Sequence, residues 1–212
     1  MTNLFELRKV LERKKGNRDQ LQKTIDELNS KILLNERQTI RHERALEIVK
    51  QVGLNTQKQL EYHLAEQVSL ALEAVFDDPY SLKVNFQEKA GRTEVELLFV
   101  RREMEFPPVG NAGGGAIDVA SLALRVAYLS MRQDKKTRPL LLLDEPFAQL
   151  KGEIANRNIL ALLQQLSSDL GLQIIMISDE RVSREDIISN SNLVFQISQN
   201  KDGISRAEML KS

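Results

Sequence analysis

From Leu4 to about Lys50 the apolar residues return on a seven-residue beat. Leu4, Leu11, Ile25, Ile32 and Leu46 fall at one position, and Leu7, Leu21, Leu28 and Val49 at the other. Such a repeat winds one helix around another, because 3.5 residues per turn keeps an apolar seam facing its partner. Charged and amide residues fill the remaining positions, with no proline and one glycine, Gly16. Polar residues interrupt the seam at Lys14, Arg18, Asn35, Thr39 and His42, and Lys14-Lys-Gly-Asn17 reads as a local break. Too few apolar residues face any globular core for this to be a surface helix. Residues 1–52 therefore read as a coiled-coil arm. No obvious return segment follows, so the partner helix is expected from another chain.

Gly53 is expected to interrupt the helix. A second helix is predicted from about Thr56 to Phe76, with Leu60, Leu64, Val68, Leu72 and Val75 along one stripe, stopped by Asp77-Asp-Pro79. The period then changes to two. Leu82, Val84 and Phe86 alternate with polar residues, as do Val95, Leu97 and Phe99, with Gly91 in the turn between. That is a β-hairpin with one apolar face, expected to pack on the preceding helix. Glu105-Phe-Pro-Pro108 reads as a connector. Gly110-Asn-Ala-Gly-Gly-Gly115 then opens a helix from about Ile117 to Met131, with Val119, Leu122, Ala123, Val126 and Leu129 on one face.

Four leucines, Leu140 to Leu143, follow a basic, proline-bearing lead-in. A short apolar run bounded by turn residues suits a strand buried on both faces of a parallel sheet. Glu153 to Leu170 is an amphipathic helix with Gly171 as its C-cap. Leu172 to Ile177 is a second buried strand, ending at Ser178-Asp-Glu-Arg181. A short helix (Arg184 to Ser189), a strand (Leu193 to Ile197), a turn at Asp202-Gly203 and a last strand from Ile204 complete the chain. Residues 53–212 thus read as one α/β unit.

Composition narrows the chemistry. Lys and Arg number 30, Asp and Glu 30, so no global basic field points to nucleic acid. Cysteine is absent, which excludes a disulfide framework and a thiolate metal site and fits a reducing cytoplasm. No run approaches 18 apolar residues and the start resembles no signal peptide, so a soluble, cytoplasmic chain without a membrane is expected. The two histidines, His42 and His63, lie on helices without a partner at metal-ligand spacing.

Two stretches carry candidate chemistry. Asp144 and Glu145 stand at the carboxyl edge of the leucine strand, where open α/β sheets bind ligands. In that place Asp144 can hold a hydrated Mg²⁺, and Glu145 can orient and deprotonate an attacking water. The alternative is an acidic cap after a core strand. Gly113, Gly114 and Gly115 stand at a helix start, where backbone N–H groups and the positive dipole end favour a phosphate. The alternative is a flexible loop before a helix.

The order of these features resembles the C-terminal lobe of the ABC-type P-loop ATPase head in the SbcC/SMC/RecN class, most of all the small SbcC-type DNA-repair proteins of phage and prophage. The resemblance spans roughly Gln51 to Ser212. It implies a mostly parallel sheet with flanking helices behind a long coiled coil. In that class the glycine segment, written S-G-G-E, caps the γ-phosphate of ATP on the opposite head; here Gly113-Gly114-Gly115-Ala116 takes its place. Asp144 and Glu145 match the Walker B pair, implying Mg²⁺ at Asp144 and a catalytic base at Glu145. Phe147-Ala-Gln-Leu150 falls where the D-loop sits. The sequence departs from the pattern at Gly113 (for Ser), at Ala116 (for Glu) and at Asp179, which stands where a switch His is expected. None of the 10 glycines is followed by Lys, so no Walker A loop is present. The resemblance therefore implies a split head, with a separate chain supplying the Walker A lobe and the antiparallel helix. It also implies an SbcD-like nuclease and DNA as further partners. A degenerate head acting as a coiled-coil assembly module is the alternative.

Overall fold

The computed structural model describes residues 4–131, 138–178 and 182–211. One helix, α1, runs without interruption from Leu4 to Val75, a span of 72 residues. The expected breaks at Lys14–Asn17 and Gly53 are absent. A lone glycine costs a helix about 1 kcal/mol relative to alanine, which the flanking Leu, Glu, Lys, Arg and Gln residues tolerate. Thr56, expected to begin a second helix, instead donates its hydroxyl to the Val52 carbonyl within α1, at 2.9 Å.

The chain divides into two compact units, residues up to Thr56 and residues from Gln57. In the first, every described residue is exposed. In the second, the last turns of α1 bury Val68, Ala71, Leu72 and Val75. They share a core with Leu82, Val84 and Phe99 of the hairpin. The hairpin is β1 (Ser81–Lys89) paired antiparallel with β2 (Arg92–Arg101), with Leu82 opposite Phe99 and Val84 opposite Leu97. The two-residue turn puts Ala90 and Gly91 at positive φ, as the twist of tight hairpins demands. Ser69 fixes helix to hairpin by accepting the Leu82 N–H at 2.9 Å. The expected connector holds a further strand, β3 (Met104–Phe106), antiparallel to β2.

Helix α2 (Gly114–Met131) buries Val119, Leu122, Ala123 and Val126 as its periodicity predicts. It is apolar and long enough to cross a membrane by length and composition. Eight of its residues nonetheless lie buried in the core of the second unit, the role such a helix plays inside a globular domain. Strand β4 (Leu140–Asp144) pairs in parallel with β5 (Gln173–Ile177), and α3 (Glu153–Leu170) crosses between them. Gly171 ends α3 in the left-handed conformation, φ 61°, and its N–H returns to the Ser167 carbonyl. Helix α4 (Arg184–Asn190) is N-capped by Ser183, which accepts the Asp186 N–H. Strands β6 (Val194–Gln199) and β7 (Ser205–Lys211) form an antiparallel pair.

Two expectations are corrected. The sheet is not mostly parallel: among the described residues only β4 and β5 pair that way, and the other two sheets are antiparallel. The leucine strand is not buried on both faces either. Leu141 and Leu143 are 8% and 3% exposed, but Leu140 and Leu142 are 41% and 64% exposed. The physical reason is common to both. A run of leucines makes both faces of a strand apolar, but the described residues cover one face only. The other borders an open apolar groove of about 930 Å³, whose lining includes Leu97, Phe99, Ile117, Leu124, Tyr128 and Leu142.

Candidate functional site

Asp144 is the last residue of β4, exposed, opposite Ile177 in the parallel register. At Glu145 the chain leaves the strand through a left-handed backbone, φ 41°, unusual for a residue with a side chain. Such a conformation costs of order 1–3 kcal/mol and persists where the surroundings over-determine it. Here they do. The Glu145 N–H donates to the Ile177 carbonyl at 3.0 Å, and the Glu145 carbonyl accepts the Ala148 N–H at 3.2 Å. The turn closes with the Leu150 N–H on the Phe147 carbonyl at 3.0 Å and with Leu150 buried. The alternation of the strand thus ends at Glu145, and two adjacent carboxyl groups open a sharp, tied-down turn.

The glycine segment lies against that same turn. The Gly113 carbonyl accepts the first helical N–H bonds of α2, from Ala116 at 3.0 Å and Ile117 at 3.3 Å. A Cβ on Gly114 would stand 2.7 Å from the Gln149 Cβ, and one on Gly115 would stand 2.9 Å from the Leu150 Cα. Neither contact can be relieved without moving the turn. Glycine is therefore required at 114 and 115 by packing within this chain, whatever else the segment does. Gly113, by contrast, is exposed and would admit a side chain. Asp118 completes the junction: its Oδ2 accepts the Gln149 N–H at 3.0 Å. Sequence reasoning missed Asp118, although the one acidic residue of a mostly apolar α2 was the available signal.

The structure thus brings Gly114 and Gly115 against the turn that begins at Asp144 and Glu145. Asp179 lies outside the described residues. Past it, Asp186 is held by two donors, the Ser183 hydroxyl at 2.6 Å and the Arg157 Nε at 3.2 Å. The Ser183 hydroxyl first and the Arg157 guanidinium second keep its carboxyl below the usual aspartate range. Among the described residues no three acidic, His or Cys side chains cluster as a metal site. A Mg²⁺ at Asp144 would accordingly need ligands from outside the described residues, such as water and phosphate oxygens.

No family model matches the chain, and no curated protein does. Solved structures of SMC heads match it in fold. A crystal structure of an SmcHead bound to the C-winged helix domain of ScpA aligns at TM-score 0.56 and 17% identity, over 74% of this chain and 45% of that one. A Smc head with a coiled coil and joint from Pyrococcus yayanosii aligns at 0.58 and 17%, over 80% of this chain and 31% of that one. A Smc head with an extended coiled coil, bound to the C-terminal domain of ScpA, from Pyrococcus furiosus aligns at 0.55 and 16%, over 96% and 52%. The chain has, in part, the fold of an SMC head with its coiled coil. It spans about half the length of those chains or less.

Proposed function

We propose that this chain is the C-terminal lobe of a split ATPase head of the SbcC/SMC class, working in the cytoplasm in DNA repair or recombination. Residues 1–52 are its coiled-coil arm and residues 53–212 the head lobe. A separate Walker A-bearing chain completes the head, and paired heads use ATP to act on DNA, with an SbcD-like nuclease as a further partner. The observation that carries this reading is the junction of the two motifs. An Asp-Glu pair at the carboxyl edge of a parallel strand is fastened, through Gln149 and Leu150, to a glycine-rich helix start. Support also comes from what the lobe leaves open. A two-stranded parallel sheet with Leu140 and Leu142 exposed is half of a sandwich, since parallel sheets are stable when both faces are covered. A Walker A lobe would supply the missing cover.

In this reading Asp144 holds Mg²⁺ and Glu145 takes a proton from the attacking water. The nucleotide would supply the phosphoryl group, and its phosphate oxygens together with water would complete the shell of a magnesium ion held by Asp144. The strained turn holds the Glu145 backbone in one place, so the base is positioned before substrate arrives. Gly113, with the open N–H groups of the α2 start, faces the γ-phosphate held by the opposite head. Asp179 occupies the position of a phosphate-sensing switch and would act by water or Mg²⁺ rather than by direct contact, because two anions repel.

The decisive experiment assembles the chain with its Walker A partner and changes Glu145 to Gln. Turnover should fall about 10²–10⁴-fold, the usual worth of a positioned base, while ATP binding survives. Unchanged turnover would refute the role of Glu145. One observation favours the second reading, a degenerate head used as an assembly module. Gly114 and Gly115 have a packing cause inside the chain, so the glycine run does not require a nucleotide. That reading expects the complex to form with full strength and no ATP dependence.

A further inference from the structure

The turn from Glu145 to Leu150 is anchored on two different elements. At its start the Glu145 N–H holds it to β5, through the Ile177 carbonyl at 3.0 Å. The Ala148 and Leu150 N–H groups bond back to the Glu145 and Phe147 carbonyls, so they hold the turn only to itself. Near its end the Gln149 N–H leaves the turn and reaches the Asp118 carboxylate of α2 at 3.0 Å, from 31 residues further along the chain. A bond to a carboxylate is charge-assisted, and so stronger than one between neutral groups.

Helix α2 is built for that contact. Gly114, Gly115 and Asp118 are spaced three and four apart, which puts them on one face of the helix. The two glycines let the face come close, since a Cβ on either would strike Gln149 or Leu150. Asp118 is the next residue of the face, half-buried, and the only acidic residue of α2. Leu122, one turn beyond, is already buried in the core. The face that meets the turn thus reads glycine, glycine, carboxylate. A turn anchored to one strand keeps a rocking freedom about that strand. A second anchor, on another element and at the other end of the turn, removes it. Glu145 sits between the strand and that second anchor, in its left-handed backbone of φ 41°.

We propose that Asp118 is a positioning residue for the Glu145 base: by holding the Gln149 N–H, it fixes the turn that Glu145 opens. This deepens the ATPase reading and rests on it. On that reading the glycine segment and Glu145 serve different nucleotides, so one carboxylate fastens together parts of two ATP sites. Placement matters here because a misplacement of about 1 Å can cost about 10²-fold in rate.

Three single variants of the full chain, Asp118→Ala, Asp118→Asn and Glu145→Gln, and the Asp118→Ala/Glu145→Gln double variant test it. In the free chain, hydrogen exchange at the Gln149 amide should quicken about tenfold or more in Asp118→Ala, as one bond to a charged acceptor is lost. Asn keeps an oxygen that can accept the N–H, so Asp118→Asn should stay near wild type. The Gly171 amide, bonded to the Ser167 carbonyl in the cap of α3, should be unchanged in both and shows that the unit is folded. Unchanged exchange at Gln149 in Asp118→Ala would overturn the proposal. In the complex with the Walker A-bearing chain, Asp118→Ala should lower kcat about 10–10²-fold, and Asp118→Asn should recover most of the loss. The double variant separates positioning from mere stability. Residues that act as a unit are non-additive, so Asp118→Ala should cost nothing further once Glu145 is replaced. The same loss in both backgrounds would make Asp118 a structural residue only and overturn the proposal. Turnover that Glu145→Gln leaves unchanged refutes the ATPase reading and the role of Asp118 with it. Turnover that falls with Glu145→Gln but not with Asp118→Ala refutes Asp118 alone.

Discussion

The two ends of α1 are made of similar residues and meet different fates. From Leu4 to Thr56 the helix buries nothing, although it carries leucine, isoleucine and valine at every other turn. From Gln57 onward the same kind of stripe buries Val68, Leu72 and Val75 nearly completely. The difference lies in what is within reach. A strand pair and Ser69's bond to the Leu82 N–H await the second stretch, and nothing among the described residues buries the first. An amphipathic pattern states that a partner exists; it does not state whether the partner is in the same chain.

The sharpest way to break this comparison is to remove one leucine from each stretch. Leu72→Ala leaves a hole in a site that is 0% exposed and should cost the second unit about 2–5 kcal/mol. Leu28→Ala, 51% exposed, should leave the unfolding midpoint of that unit unchanged while weakening association of the arm with its partner helix. Denaturant unfolding at low concentration, with sedimentation alongside, checks both. Equal losses of stability would show that the arm has a partner inside the chain.

A smaller effect comes from two glycines, one in each stretch of structure. Gly115→Ala should destabilise by about 1–3 kcal/mol, because the new methyl meets the Leu150 backbone at 2.9 Å. Gly53→Ala should do the opposite. It lies inside α1 with open space around it, so alanine gains up to about 1 kcal/mol of helix propensity. Thermal unfolding and helicity measured by circular dichroism should move in opposite directions for the two. Stabilisation by both would mean that the glycine segment is not packed as described, and destabilisation by both that Gly53 does not sit in an open helical site.

The smallest effect concerns acid. Asp78 accepts hydrogen bonds from the guanidinium groups of Arg101 and Arg102, and Arg101 lies 4.9 Å over the Tyr80 ring. Chiefly the Arg101 bond holds the Asp78 carboxyl below its ordinary value of 3.8. A carboxyl lowered in the folded state stabilises that state above its ordinary value, and the benefit is lost as pH falls through the lowered one. Asp78→Asn should therefore flatten the loss of stability as pH falls below the ordinary value of 3.8, with little change in association through the arm. A wild-type slope in that window, read from denaturant midpoints, would refute the linkage.

The legible parts were those set by local pattern. The helical character of the segment from Leu4, the two hairpin strands around Gly91, the faces of α2 and α3, and the Gly171 cap each follow from the spacing of a few neighbouring residues, and the structure has them where that spacing put them. The Asp144-Glu145 edge was legible too, because a strand that ends in charge must end at a surface. Three matters waited on tertiary structure. Whether Gly53 breaks a helix depends on a small local cost set against many flanking bonds, and the bonds prevail. Why Gly114 and Gly115 are glycines depends on a turn some 35 residues later in the chain, which no local window contains. How far the leucine strand is covered depends on the number of layers present, and a run of leucines is equally apolar on both sides. Sequence by itself determined which surfaces are apolar and where the chain turns, because those are properties of near neighbours. Only the folded arrangement decided which apolar surfaces this chain covers for itself, since that depends on residues far apart in sequence meeting in space.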